Sequence, residues 1–171
     1  APHHAATALI TLSCLHLLGL SWRDYKDSLS HLREVSGRGD KTIISNDGMA
    51  CLLINDSYNA GPASLKAALD HIASLPHKQK GLVLTDMLEL GKTSRQAHDD
   101  LAPLINEIAP HSLVLVGSQM CAIAPLLSSD ITAHCHADAA SAASALIADI
   151  RGCDLLLIKG SNGSGAPLLA R

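Results

Sequence analysis

The 171-residue sequence contains no phenylalanine, and its aromatic residues are Trp22, Tyr25 and Tyr58 alone. Proteins that read single-stranded nucleic acid stack bases on aromatic rings, so this scarcity argues against such a platform. A basic block is missing too: 13 Lys+Arg stand against 16 Asp+Glu for a formal charge of −3, which leaves no phosphate-neutralising patch. No CxxC pair occurs. The cysteines at 14, 51, 121, 135 and 153 are odd in number and widely scattered, a pattern that fits buried thiols in a reducing cytoplasm better than a disulfide framework or a structural zinc site. No apolar run approaches the ~20 residues that a membrane span needs. The opening "APHHAATALITLSCLHLLGL" lacks the basic start and cleavage pattern of an export signal.

What is present is the composition of a folded body: 47% hydrophobic and 17% charged residues, enough chain for one domain or one domain plus a piece of another. Helical spacing runs from about His3 to Leu18 and from Trp22 to Glu34, with Gly19 ending the first helix and Ser21 capping the second. "SGRGD", Ser36 to Asp40, reads as a linker or hinge, which places a domain boundary between residues 39 and 40.

Beyond that point the period changes. "KTIIS" and "CLLIN" flank "NDG", the signature of a hairpin. Short leucine-rich or β-branched runs then recur at Leu52 to Ile54, Leu82 to Leu84, Leu113 to Val116 and Leu155 to Ile158. Helical stripes follow them: Leu65, Leu69 and Ile72; then Ala97, Leu101, Leu104, Ile105 and Ile108; then Leu146, Ile147 and Ile150 behind an Asp138 cap. Thr93 and Gln96 have capping-box spacing, and Pro103 predicts a kink or short break near Ala102. The alternation implies an α/β fold with a mainly parallel, Rossmann-like sheet flanked by helices.

In open parallel sheets ligands bind beyond the carboxyl ends of the strands. Three polar turns occupy that position: "NDSYNAGP" after Ile54, "TDMLELG" after Leu84 and "KGSNGSG" after Ile158. If their strands are parallel neighbours, the turns share one rim. In the first, Asp56 and Asn59 either fix hydroxyls or an amine, or, with Asn55, simply satisfy a tight turn. In the second, Asp86 and Glu89 either suit an ammonium group or a metal-bound water, or are simply solvated. In the third, Lys159 and its glycines either cradle an anion or form a flexible turn, since neither GxxxxGK(S/T) nor a well-placed GxGxxG is present. His134 and His136 alternate on a strand and face one side, but no further ligand stands at metal-site spacing. His3 and His4 are adjacent and cannot share a helical face. No metal site and no nucleophilic triad is assigned.

"NDSYNAGPASLKAAL", "LVLTDMLELGKTSRQAH" and "LLLIKGSNGSG", in that order, together with "HHAATAL" and "SGR" before them, resemble the C-terminal part of the Mur ligase family. The likeness is nearest to the branch whose motifs run DD(T/S)YNANP, LGDMLELG with a following His, and KGS. Departures are Asn55 for Asp, Gly61 for Asn, Thr85 for Gly, and His4 and Thr7 for asparagines of the family's HNxxN helix.

The resemblance implies a fragment. Residues 1–39 would be the last helices of a central ATPase domain, and residues 40–171 a C-terminal α/β domain. The whole enzyme would use ATP and Mg2+ to phosphorylate the carboxylate of UDP-N-acetylmuramoyl-tripeptide, and the amine of D-Ala-D-Ala would attack the acyl phosphate. Arg38 and Asp56 would meet the nucleotide. Tyr58, Asn59, Asp86, Glu89, Lys159 and Ser161 would line the dipeptide pocket, and His98 shares the motif with no role implied. The chain alone would bind no cofactor and be inactive, within a cytoplasmic, monomeric peptidoglycan-precursor enzyme that engages neither nucleic acid nor membrane. Alternatives are another ligase of the superfamily, MurE-like or folylpolyglutamate synthetase-like, and a non-catalytic α/β binding module.

Overall fold

The computed structural model describes residues 2–25, 35–46 and 48–170 of the chain. Two compact units are present, Ala1–Glu34 and Val35–Arg171. In the first, helix α1 (Pro2–Leu17) ends as the sequence predicts, with Gly19 at φ 72°. The Gly19 amide donates to His16 O and the Leu20 amide to Leu15 O, the paired bonds of a Schellman stop. Trp22–Tyr25 forms a 3-10 turn, with the Ser21 hydroxyl accepting from the Arg23 amide at 3.3 Å. The rest of the second predicted helix, residues 26–34, lies outside the described residues, as do the side chains of His3, His4 and Thr7.

The second unit is built on a six-stranded sheet of order β1-β2-β6-β3-β4-β5. Strands β1 (Asp40–Asn46) and β2 (Met49–Asp56) form the predicted antiparallel hairpin. The other strands, β3 (Lys80–Thr85), β4 (Ser112–Val116), β5 (Ala133–His136) and β6 (Leu155–Lys159), run parallel to their neighbours and to β2. Strand alternation builds a core on each face. Leu82, Leu84, Leu113, Leu115, Leu155 and Leu157 point to one, and Val83, Val114, Val116, Leu156 and Ile158 to the other.

Helix α2 (Pro62–Ser74) covers the first face with the predicted stripe Leu65, Leu69 and Ile72, all buried. Pro62 stands in its first turn, where a missing N–H costs nothing. Pro103 acts as predicted: α3 (Ser94–Asp99) stops and α4 (Ala102–Ile108) restarts with the proline in its first turn. After the short α5 (Ser118–Cys121), helix α6 (Ala139–Asp149) covers the second face, with Asp138 Oδ1 capping the Ser141 amide at 2.8 Å. The chain closes with α7 (Ala166–Leu169).

Three expectations need correction. Ile147 is 79% exposed. The inward stripe of α6 is Ala139, Ala142 and Ile150 with partly buried Leu146, and Ile147 falls one residue off it. The Thr93–Gln96 capping box does not form, because a 3-10 turn (Gly91–Thr93) already winds into α3. The Thr93 hydroxyl therefore donates to Leu90 O, and Gln96 reaches forward to Asp100. Nor are all the thiols buried: Cys14 and Cys135 are exposed, while Cys51 and Cys153 lie inside. Burial pushes the Cys153 thiol up to about 12, with Cys51 and Asp154 adding to the shift, so it stays protonated at neutral pH.

Candidate functional site

The register of the parallel strands sets the geometry. Lys159, last in β6, pairs with Asp56 at the end of β2 on one side and with Leu84 near the end of β3 on the other. The turns that follow these three strands therefore leave the sheet at one edge, side by side.

Side chains then tie the turns together. Lys159 is 1% exposed, and its Nζ donates to Asp56 Oδ2 at 2.5 Å and to Asn59 O at 3.1 Å. A buried ammonium of this kind is tolerable only when paired and hydrogen-bonded. Lys159 thus supports the first turn from beneath and offers no open charge. The Ser161 hydroxyl joins all three turns: it donates to Ala60 O at 3.4 Å and accepts from the Leu88 amide at 3.3 Å. The third turn, despite "GSNGSG", is held in place. Ser164 Oγ bonds Ser161 O at 2.6 Å and also pairs with Thr85 Oγ1. Thr85 is buried over Gly160, where an added Cβ would lie 1.7 Å from the threonine hydroxyl.

In the second turn the Asp86 carboxylate is bonded to backbone. Its Oδ1 accepts from the Met120 amide at 2.7 Å and its Oδ2 from the Gln119 amide at 3.4 Å, and Gly117 makes room for the carboxylate. Asp86 therefore caps α5. His98, fully buried, braces the same turn: its Nδ1–H donates to Ser94 O at 2.7 Å, leaving Nε2 to accept from the Met87 amide at 3.0 Å. Glu89 differs from its neighbours. It has φ 63°, a left-handed conformation that costs a non-glycine residue about 1–2 kcal/mol, and its side chain is exposed. Strain of this kind persists only where the surroundings enforce it. His98, Ser161 and the Asp86 cap supply that enforcement.

The first turn is built as an Asx turn. Asn55 Oδ1 accepts from the Ser57 amide and hydroxyl at 3.3 and 2.7 Å, and Asn59 Oδ1 accepts from the Ala60 amide at 2.9 Å. The tight-turn alternative thus describes Asn55 and the Asn59 side chain. Tyr58 is 46% exposed, with the Arg38 guanidinium 4.0 Å from its ring centre. A cleft of about 280 Å³ opens beside it, lined in part by Ser36, Gly37, Ser57, Tyr58 and Asn162. The larger groove, about 340 Å³ between α2 and α4, carries Asp70 and Glu107 but no such convergence.

His134 and His136 face one side, as predicted, and close on a single carboxylate, Asp149, at 3.3 and 2.9 Å. Among the described residues no group of three His, Cys, Asp or Glu is placed to hold a metal ion.

The fold that carries this rim has known counterparts. Residues 42–162 match the family described as Mur ligase, glutamate ligase domain. The chain belongs to the Mur ligase family. Among its relatives are the UDP-N-acetylmuramoyl-tripeptide–D-alanyl-D-alanine ligases of Rickettsia prowazekii, 30% identical over 94% of this chain and 35% of that protein, and of Mycobacterium tuberculosis, 28% identical over 98% and 37%. A crystal structure of MurF from Acinetobacter baumannii superposes with TM-score 0.77 at 25% identity, covering 99% of this chain and 36% of that one. MurF ligase from Thermotoga maritima in complex with ADP shares the fold, with TM-score 0.68 at 22% identity over 93% of this chain and 35% of that one. This Mur ligase chain thus spans about a third of the length of the relatives it matches.

Sequence reasoning missed His98, Thr85 and Ser164 as struts and Asp86 as a cap. The spacing of Asn55 and Ser57 carried an Asx-turn signal. The His98 bond to Ser94 O lies one helical turn back, but its role as a strut depends on the Met87 amide, which reaches it only through the folding of the second turn.

Proposed function

We propose that this chain is the C-terminal part of an ATP-dependent ligase that forms an amide bond between D-Ala-D-Ala and UDP-N-acetylmuramoyl-tripeptide. The enzyme would be a monomer of the cytoplasm, making peptidoglycan precursor. The observation that carries this reading is the single Ser161 hydroxyl bonded to both Ala60 and Leu88, which joins three turns at the carboxyl edge of the sheet. The names of the relatives direct it to this chemistry.

The rim suits the positioning of an amine. Glu89 offers an exposed carboxylate on a braced turn, and Asn59 stands exposed on the turn beside it. Holding an amine against an activated carbonyl lowers a barrier by up to ~7–11 kcal/mol in favourable cases. For the nucleotide, the residues present fit in part. Arg38 brings a cation, and Asp56, with Oδ2 engaged by Lys159, keeps Oδ1 for a hydroxyl donor such as a ribose. ATP would supply the phosphoryl group that activates the tripeptide carboxylate. Mg2+ has no ligand set among the described residues, so none is assigned to this chain.

The test is turnover by the full-length gene product. Phosphate release should require ATP, Mg2+, tripeptide and D-Ala-D-Ala together, and the 171-residue chain alone should release none. Robust hydrolysis by the chain alone, or full-length turnover indifferent to the dipeptide, would overturn the reading.

A further inference from the structure

Arg38 sits between two glycines, Gly37 at φ 79° and Gly39 at φ 86°. Both are bonded to the turn that carries Tyr58. The Tyr58 amide donates to Gly37 O at 2.8 Å, and the Gly39 amide to Asn55 O at 2.8 Å. Asp40 closes the clasp: its Oδ1 accepts from the Gly37 amide at 2.6 Å and its Oδ2 from Asn55 Nδ2 at 3.5 Å. A side chain at Gly37 would press on this contact, since an added Cβ lies 3.2 Å from the Tyr58 nitrogen and 3.3 Å from Tyr58 Cβ. The backbone of Arg38 is therefore fixed within the Val35–Arg171 unit.

The side chain is ordered by a different contact. The guanidinium stacks on the Tyr58 ring with Cζ 4.0 Å from its centre. Stacking uses the flat face of the group and leaves its in-plane N–H donors free, the geometry in which arginine grips a phosphate with two bonds. Among the described residues Arg38 makes no side-chain hydrogen bond or ion pair. The nearby acids are engaged elsewhere, Asp40 by backbone and Asn55, and Asp56 by Lys159.

We propose that Tyr58 is a positioning residue for Arg38: its ring pre-orders the guanidinium toward a phosphate-bearing ligand and does not serve as a wall of the amine pocket. This rests on the ligase reading above, in which Arg38 meets the nucleotide. The dipeptide is then recognised without Tyr58.

Two measurements test it. In the NMR spectrum of the 171-residue chain, the Arg38 δ and ε protons should be shifted upfield by the ring current. The shift should survive in Tyr58→Phe and vanish in Tyr58→Leu. In the full-length enzyme, Tyr58→Leu should lower kcat/KM for ATP about three- to tenfold, with the KM for D-Ala-D-Ala changed by less than about twofold. Tyr58→Phe should restore the ATP parameter, and Tyr58→Leu should add nothing once Arg38→Leu is present. A raised dipeptide KM with unchanged ATP kinetics, additive losses in the double variant, or Arg38 shifts indifferent to residue 58 would overturn the proposal. A wild-type enzyme that fails to couple ATP to these substrates would remove the ligase reading instead, and the ring-current shift would still decide the pairing.

Discussion

Helix α1 and the α/β unit treat their apolar residues in opposite ways. Along and just after α1, Leu9, Ile10, Leu17 and Leu18 are each more than 60% exposed, whereas Leu82, Leu84, Leu113 and Leu115 in the sheet are fully buried. Helix α1 and the six strands are similarly leucine-rich, so composition does not separate them; pairing does. A helix of 16 residues is marginal in water without a packed face. The sheet has helices over both cores and a backbone ladder across six strands. The α/β unit should therefore carry nearly all of the chain's cooperative stability, and the candidate site lies within that unit.

The sharpest way to break the comparison is to truncate a leucine in each region. Leu84→Ala should cost about 2–5 kcal/mol in urea unfolding. Leu17→Ala, at 84% exposure, should stay within about 0.5 kcal/mol. Comparable losses would mean that α1 is packed as tightly as the sheet. Next in size is Lys159→Met. It strips Asp56 Oδ2 and Asn59 O of their common donor, and with Asp56 about a quarter exposed the expected loss is about 2–3 kcal/mol. A neutral result would show that Lys159 is dispensable to the rim.

A third substitution should act in the other direction. Glu89→Gly relieves the left-handed strain and should stabilise the chain by about 1 kcal/mol; under the proposed ligase function it should also raise the full-length enzyme's KM for D-Ala-D-Ala. Gained stability with unchanged dipeptide kinetics would leave the strain without a function. The smallest effect concerns pH. Hydrogen bonds from the Ser141 amide and hydroxyl hold the Asp138 carboxyl below its usual range. The stability it contributes is therefore present above the unfolded carboxylate value and lost as pH falls through the lower folded value. In Asp138→Asn the stability profile should be flatter across that acid range, and profiles that superpose would remove the cap from the account.

How far these features were legible in the sequence depends on the range of their causes. The hairpin, the stripe Leu65–Leu69–Ile72, the break at Pro103 and the Asp138 cap follow from neighbours within a few residues, and all appear in the structure. The capping box at Thr93 failed although its spacing was right, because the preceding 3-10 turn had already begun the helix. Ile147 failed because period alone places a stripe to within about one residue, and the alanines at 139 and 142 pack closer than the larger side chain would. In the site, the convergence of the turns follows from parallel strand order, which the βα alternation announced. The division of labour within it does not. Lys159 and Asp86 are charged residues in polar turns, and only the structure reveals that one supports a neighbouring turn and the other caps a helix over thirty residues away.

The central claim is that turns a hundred residues apart are physically joined through Ser161 and Lys159. Nuclear Overhauser contacts in the 171-residue chain test this most directly. The account predicts cross-peaks from the Leu88 amide to the Ser161 β protons and from the Lys159 ε protons to the α proton of Asn59; an assigned spectrum lacking both would contradict it.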